Sequence, residues 1–186
     1  MTELASSRPD RGAVGALRAL GTRLLCVPRT VAWLAPVAWM GLIWVVSGVQ
    51  VIPAPGRAGR GLVGNLAHAF EFGVLALAFA LLSPRERGWV RLARRETLAI
   101  TLACLAYAIV DELHQSRVSG RDGSALDVVT DLAGAFGALI VARYVGSALA
   151  TEVGLRRRLL SAGALCVAAA ALATVCGQYA AASSWL

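Results

Sequence analysis

Five apolar runs of about 20 residues, joined by connections too short to hold a domain, constrain this chain more than any other feature. At 1.5 Å per residue, such a run forms a helix that crosses the roughly 30 Å hydrocarbon core of a bilayer. The runs cover approximately residues 31–52, 62–82, 96–115, 125–148 and 159–182. Composition agrees: 58% of the 186 residues are hydrophobic and 16% are charged, and the mean hydropathy is +0.66. A soluble domain carries roughly 25% charge and 45–50% apolar residues. The expected fold is therefore all-α: a polytopic membrane protein of about five transmembrane helices. The first run is long, its charged leader is long and four more runs follow, which argues against a cleaved signal peptide.

The net charge of +7 comes from 18 basic and 11 acidic residues, and every basic residue is an arginine. These arginines separate the apolar runs and form no continuous basic face, so nucleic acid is excluded as a partner. Their sides set the orientation. Arg8, Arg11, Arg18, Arg23 and Arg29 precede the first run. Arg85, Arg87, Arg91, Arg94 and Arg95 lie between the second and third, and Arg143, Arg156, Arg157 and Arg158 flank the fourth-to-fifth connection. Only Arg57, Arg60, Arg117 and Arg121 fall on the other side. The positive-inside rule predicts a cytoplasmic N-terminus and, with five spans, an external C-terminus. The expected divisions are a cytoplasmic Arg-rich arm or interfacial helix at 1–30, a four-helix membrane domain at 31–148, and a basic loop with a fifth transmembrane helix at 149–186.

Polar side chains inside these runs are costly and therefore informative. Glu71, Asp111, Glu112, Asp127 and Asp131 fall inside or at the ends of spans two to four, as do both histidines, His68 and His114. Reading each span in its expected direction brings His68 and Glu71, then Asp111, Glu112 and Gln115, then Asp127 and Asp131, to one level near the outer surface. The pairs His68/Glu71, Asp111/Gln115 and Asp127/Asp131 are three or four residues apart, so each shares a helix face. The 116–124 loop hangs Arg117 and Arg121 over this layer. Other readings stand beside this one. Glu112 and Asp127 lie where capping groups lie; His68 and Glu71 suit a structural hydrogen bond; His114 points elsewhere in many such helices. Gly134 and Gly137 suit close helix packing, and Trp33, Trp39, Trp44 and Trp185 suit the interface or lipid. The four cysteines, Cys26, Cys104, Cys166 and Cys176, contain no C-x-x-C pair and read as small buried thiols.

The run Asp111-Glu-Leu-His-Gln-Ser-Arg-Val-Ser-Gly-Arg121-Asp-Gly-Ser-Ala-Leu-Asp127-Val-Val-Thr-Asp131-Leu-Ala-Gly134 resembles the signature of the VanZ-like family: D-E-x-x-Q, then P-G-R, then D-V followed by Asn or Asp and a Gly. His68-Ala-Phe-Glu71-Phe is similar to its H-F-x-E-Y element, and Ser47 to its S-S-x-P region. The resemblance covers about residues 37–142. Arg117 and Ser119 replace the usual Phe and Pro, Asn65 replaces a basic residue, and Phe72 replaces a Tyr; these departures bear on loop shape and ligand preference. The resemblance implies a multi-pass protein of the bacterial cell membrane, and a cell-envelope context tied to resistance to the glycopeptide antibiotic teicoplanin. It implies no reaction.

Three kinds of function fit these residues. The first is an enzyme at the outer leaflet acting on a lipid or lipid-linked, peptidoglycan-related precursor. In it, His68, Glu71, Asp111, Glu112 and Asp127 carry the chemistry while Gln115, Arg121 and Asp131 bind substrate. Carboxylates crowded in low dielectric need a cation, Arg121 or a proton to compensate them; a divalent metal is one such cation, with Asp111, Glu112, Asp127 and Asp131 as candidate ligands. An oxygen-rich set suits Mg²⁺ or Ca²⁺, whereas a set that includes His68 suits Zn²⁺. The second is a non-enzymatic accessory or ligand-binding subunit, with the fifth helix docking a membrane partner. A small transporter ranks third, because the polar groups stop in the outer third and no path crosses the membrane.

Overall fold

Pro36 decides how the first span begins. With no N–H to offer the Ala32 carbonyl, it interrupts the helical ladder, and the chain turns at Trp33 between α2 (Arg29–Ala32) and α3 (Leu34–Ser47). The computed structural model describes residues 12–49, 58–86, 88–119 and 124–183. The remaining elements are α1 (Ala13–Leu25), α4 (Ala58–Ala80), the strand pair β1 (Arg85–Glu86) and β2 (Trp89–Val90), α5 (Arg94–Gln115), α6 (Ala125–Val145) and α7 (Glu152–Ser183). Five helical stretches are long and apolar enough to cross a membrane: Arg29–Ser47, Gly61–Ala80, Arg94–Gln115, Ala125–Val145 and Glu152–Gly177. The polytopic all-α fold expected from the sequence is thus present. The end of the expected first span, residues 50–52, lies outside the described residues.

Within 1–30, where the sequence suggests an arm or an interfacial helix, the structure has the helix α1, and residues 1–11 lie outside the described residues. One boundary differs from expectation. The supposed basic loop at 149–158 is largely helical, because α7 starts at Glu152. The Thr151 hydroxyl accepts from the Gly154 amide at 3.1 Å, capping this start. The Arg158 guanidinium lies 3.5 Å above the centroid of the Tyr144 ring, a cation–π contact that holds the arginine against the bundle. Glu152 accepts from the Val14 amide at 2.9 Å and so ties α1 to α7.

The pair α4–α6 forms the centre of the bundle, with α3 and α5 against one side and α7 against the other. Small residues permit the contact between the two central helices. A Cβ at Gly134 would run into the Ala69 carbonyl, so backbone meets backbone there. In a membrane, where lipid competes for every apolar contact, such close approach is a main source of helix association. The core lies on the α3/α5 side and is built from Ile43, Phe72, Leu75, Cys104 and Leu139. The Tyr107 hydroxyl donates to the Met40 carbonyl, joining α5 to α3.

Between the second and third spans, β1 and β2 pair antiparallel through Arg85↔Val90 and Glu86↔Trp89. Gly88 closes the turn at φ +79°, a left-handed conformation suited to glycine. This hairpin drives Trp89 between Gly21 of α1 and Gly146 after α6, where its indole donates to the Ala142 carbonyl at 3.0 Å. Outward faces remain apolar, for example Leu98, Leu102 and Ile109 of α5 and Leu160 and Val167 of α7. The same logic corrects the reading of the thiols. Cys104 is buried, Cys166 is half-buried, and Cys26 and Cys176 are exposed, since an apolar run in a membrane helix includes its lipid-facing side.

Candidate functional site

At one end of the bundle, the antiparallel helices bring together the C-terminal ends of α3 and α5 and the N-terminal portions of α4 and α6. His68 of α4 and Asp111 and Glu112 of α5 each present one ligand-capable atom there, all within 4.8 Å of one another. Asp131 of α6 joins them from the third side, with its Oδ1 3.3 Å from Nδ1 of His68. Asp111 and Asp131 are completely buried and Glu112 is 8% exposed.

Each carboxylate of α5 has one oxygen fastened and one left over. Gln115 donates from Nε2 to Oδ2 of Asp111 at 2.7 Å, the i,i+4 partnership expected of that pair. Oε2 of Glu112 accepts the backbone amide of Ser124 at 2.6 Å. The second oxygens, Oδ1 of Asp111 and Oε1 of Glu112, are buried and accept no hydrogen bond among the described residues. Among the described residues Oδ2 of Asp131 is likewise buried without a hydrogen bond, whereas its Oδ1 faces Nδ1 of His68 at 3.3 Å. Buried polar atoms are nearly always partnered. Several unpartnered acceptors of α5 and α6 converging beside His68 therefore form a cradle for a cation or a proton-donating ligand. A set of one imidazole and two carboxylates can hold a metal ion with open positions, as catalytic sites do.

The close α4–α6 contact sets this geometry. Ala69, which meets Gly134, follows His68 directly, and Gly134 lies three residues after Asp131, so the crossing places the imidazole opposite the carboxylate. Ser124 positions α6 by accepting the Leu126 amide at its N-cap, at 3.2 Å. Around the cluster, the Trp39 indole donates to the Glu71 carbonyl at 2.8 Å. His114 stacks on Trp44, with ring centroids 3.8 Å apart and planes 18° from parallel.

The expected site residues thus separate into groups. His68, Asp111, Glu112, Gln115 and Asp131 come together. Glu71 and Asp127 are half-buried on the same helices and are not among the three whose ligand atoms converge. Arg121 lies outside the described residues, and Arg117 donates to the Leu113 carbonyl at 3.1 Å. Ser47 is buried, at 2% exposure, at the end of α3. Trp33 and Trp44 are exposed, as expected, with Trp44 also stacking on His114, whereas Trp39 bonds into the bundle; Trp185 is outside the described residues. Sequence reasoning missed the Ser124 amide as a partner of Glu112. The Ser124-Ala-Leu-Asp127 spacing of a capping box was the available signal.

The sequence model of the VanZ/LLP1 family matches residues 21–146. The chain belongs to the VanZ/LLP1 family. That match runs from within α1 to the end of α6 and contains every residue of the polar cluster, while α7 falls beyond it. No curated protein and no solved structure matches the chain. Membership supports a VanZ-like membrane protein, and within it the buried oxygens of Asp111 and Glu112, unpartnered among the described residues, are the atoms available to a ligand.

Proposed function

We propose that this VanZ/LLP1-family protein holds a divalent cation through His68, Asp111 and Glu112, near the outer surface of the membrane. There the cation engages the phosphate or carboxylate group of a cell-envelope lipid or lipid-linked precursor. The observation that carries this reading is the convergence of three ligand atoms from two helices, within 4.8 Å, with the carboxylate oxygens otherwise unpartnered. One nitrogen and two oxygens suit a borderline ion such as Zn²⁺ better than Ca²⁺, which takes 6–8 oxygens. The surrounding residues act as orienting groups. With Nδ1 of His68 facing Asp131, Nε2 is the ring atom left for the cation, an arrangement in which a carboxylate fixes the ring and raises its basicity. Gln115 and the Ser124 amide aim the two carboxylates in the same way. A cation with an open position polarises a phosphoryl or carbonyl oxygen and acidifies a bound water. The arginine count supports an external site, because the cluster lies at the end opposite the arginine-rich connections.

Elemental analysis of the detergent-purified protein tests the reading. Wild type is expected to carry about one zinc per chain, with the metal lost in Asp111→Asn and in Glu112→Gln. A folded wild type that takes up no divalent metal, even after incubation with Zn²⁺, Mn²⁺ or Mg²⁺, sinks it.

A further inference from the structure

On the opposite face of the central helix pair from the polar cluster lies a groove of about 780 Å³. Gly134, Gly137 and Val141 of α6 floor it, α4 and α7 wall it, and α1 lies across one end through Leu20 and Leu24. The walls meet at the other end, where the Asn65 amide donates to the Ala170 carbonyl at 3.3 Å and the Thr174 hydroxyl at 3.1 Å. The groove therefore closes towards the polar-cluster end. Its rim, at Phe70 and Leu77 of α4 and at Leu20 and Leu24 of α1, is exposed.

In a membrane this groove faces hydrocarbon, and its length together with the charge at its α1 end points to the occupant. It follows α4 from Leu66 to Leu81, about 22 Å at 1.5 Å per residue. One leaflet is about 15 Å of the roughly 30 Å hydrocarbon core, so an acyl chain rooted in the nearer leaflet fits along it. Gly163, on the α7 wall, has no heavy atom within 4 Å of where a Cβ would stand, so room remains there as well.

The end crossed by α1 is cationic. Arg156 precedes Leu159 by one turn on the α7 face that continues through Gly163 and Cys166, all three of which line the groove. Arg157 stands beside it, and Arg23 follows the groove residue Leu20 by one turn of α1. All three arginines are exposed and make no ion pair among the described residues. Their neighbours are engaged: Arg18 donates to the Val145 and Ser147 carbonyls, and Arg158 covers Tyr144.

We infer that the α4–α6–α7 groove is a binding site for an anionic phospholipid of the leaflet on the arginine-rich side, with its acyl chains in the groove and its phosphate at Arg23, Arg156 and Arg157. This site is separate from the polar cluster and does not depend on it. The lipid fills the splay between α4 and α7 and so seats α7, which lies outside the family match, on the family core.

The test is native mass spectrometry of the full chain, released from detergent in the presence of phosphatidylglycerol or phosphatidylcholine. Wild type is expected to hold one phosphatidylglycerol at least tenfold more tightly than phosphatidylcholine. The double variant R156Q/R157Q loses about 25-fold in phosphatidylglycerol affinity, since each basic residue near an anionic surface contributes on the order of a factor of five. Gly163→Trp and the milder Gly163→Leu fill the groove and displace the lipid, with helicity and metal content unchanged. A folded Gly163→Trp or Gly163→Leu that binds phosphatidylglycerol like wild type overturns the site, as does equal affinity for the two lipids. So does a wild-type dimer, with no bound lipid, that the Gly163 variants make monomeric; the groove would then seat a second copy.

Discussion

Substituting one methyl group at Gly134 separates the close-packing account from its alternatives. A Cβ at this position collides with the Ala69 carbonyl. The obstacle is main chain, so no rotamer change relieves it, and α4 and α6 must move apart. Overpacking of this kind costs typically 1–3 kcal/mol, and Gly134→Ala is expected near the upper end because two long helices share the displacement. Helix propensity opposes this by about 1 kcal/mol, leaving a net loss of about 1–2 kcal/mol. The same movement lengthens the 3.3 Å approach of His68 to Asp131. Loss of such an orienting contact typically lowers metal affinity 10–100-fold. Thermal unfolding in detergent and zinc titration of the same preparation measure both effects. Gly163→Ala is the internal control: its Cβ meets nothing within 4 Å, so it should be neutral or slightly stabilising. If Gly134→Ala melts at or above wild type and binds zinc equally well, the α4–α6 contact does not set the site.

Other consequences follow from particular residues. Gln115→Ala removes the donor that holds Oδ2 of Asp111; zinc affinity should fall 10–100-fold with helicity by circular dichroism intact. Ser124→Ala keeps the backbone amide that serves Glu112 but loses the cap on Leu126. It should cost about 1 kcal/mol in a thermal or chemical melt while metal content stays at the wild-type level. Trp89→Ala empties the space between Gly21 and Gly146; a loss of about 3 kcal/mol and faster proteolysis within α1 are expected. Orientation is testable at Arg117, which is exposed in the connection after α5, by placing a cysteine there in a background without native thiols. An impermeant maleimide applied to intact cells should label Arg117→Cys, and labelling only after the cells are opened refutes the external site.

Much of the site was legible because membrane insertion makes polar residues conspicuous. Asp111 and Gln115 needed only helical spacing to be paired, and they are bonded at 2.7 Å. His68 and Asp131 needed the spans to run in opposite directions, which the alternation of arginines supplied. The choice among the remaining acids was not legible. Asp111 and Asp127 both lie at helix ends facing the same layer, yet Asp111 is completely buried with Glu112 beside His68, whereas Asp127 is half-buried outside that group of three. Helix rotation decides this, and a rotation of one residue's 100° leaves hydropathy unchanged.

The start of α7 shows the same division. Three consecutive arginines read as a loop, but Thr151, Tyr144 and Glu152 supply a cap, an aromatic face and a tie to α1 that turn them into the first turns of a helix. Length, hydropathy and arginine placement depend on sequence alone, because the bilayer acts on each segment separately. By themselves they determined that the chain is helical, that it has five spans, and which ends of those spans carry the acids. Which oxygens remain unpartnered, and that a groove opens behind the site, depend on how closely two backbones approach. Tertiary packing alone decided those, at contacts such as Gly134 against Ala69.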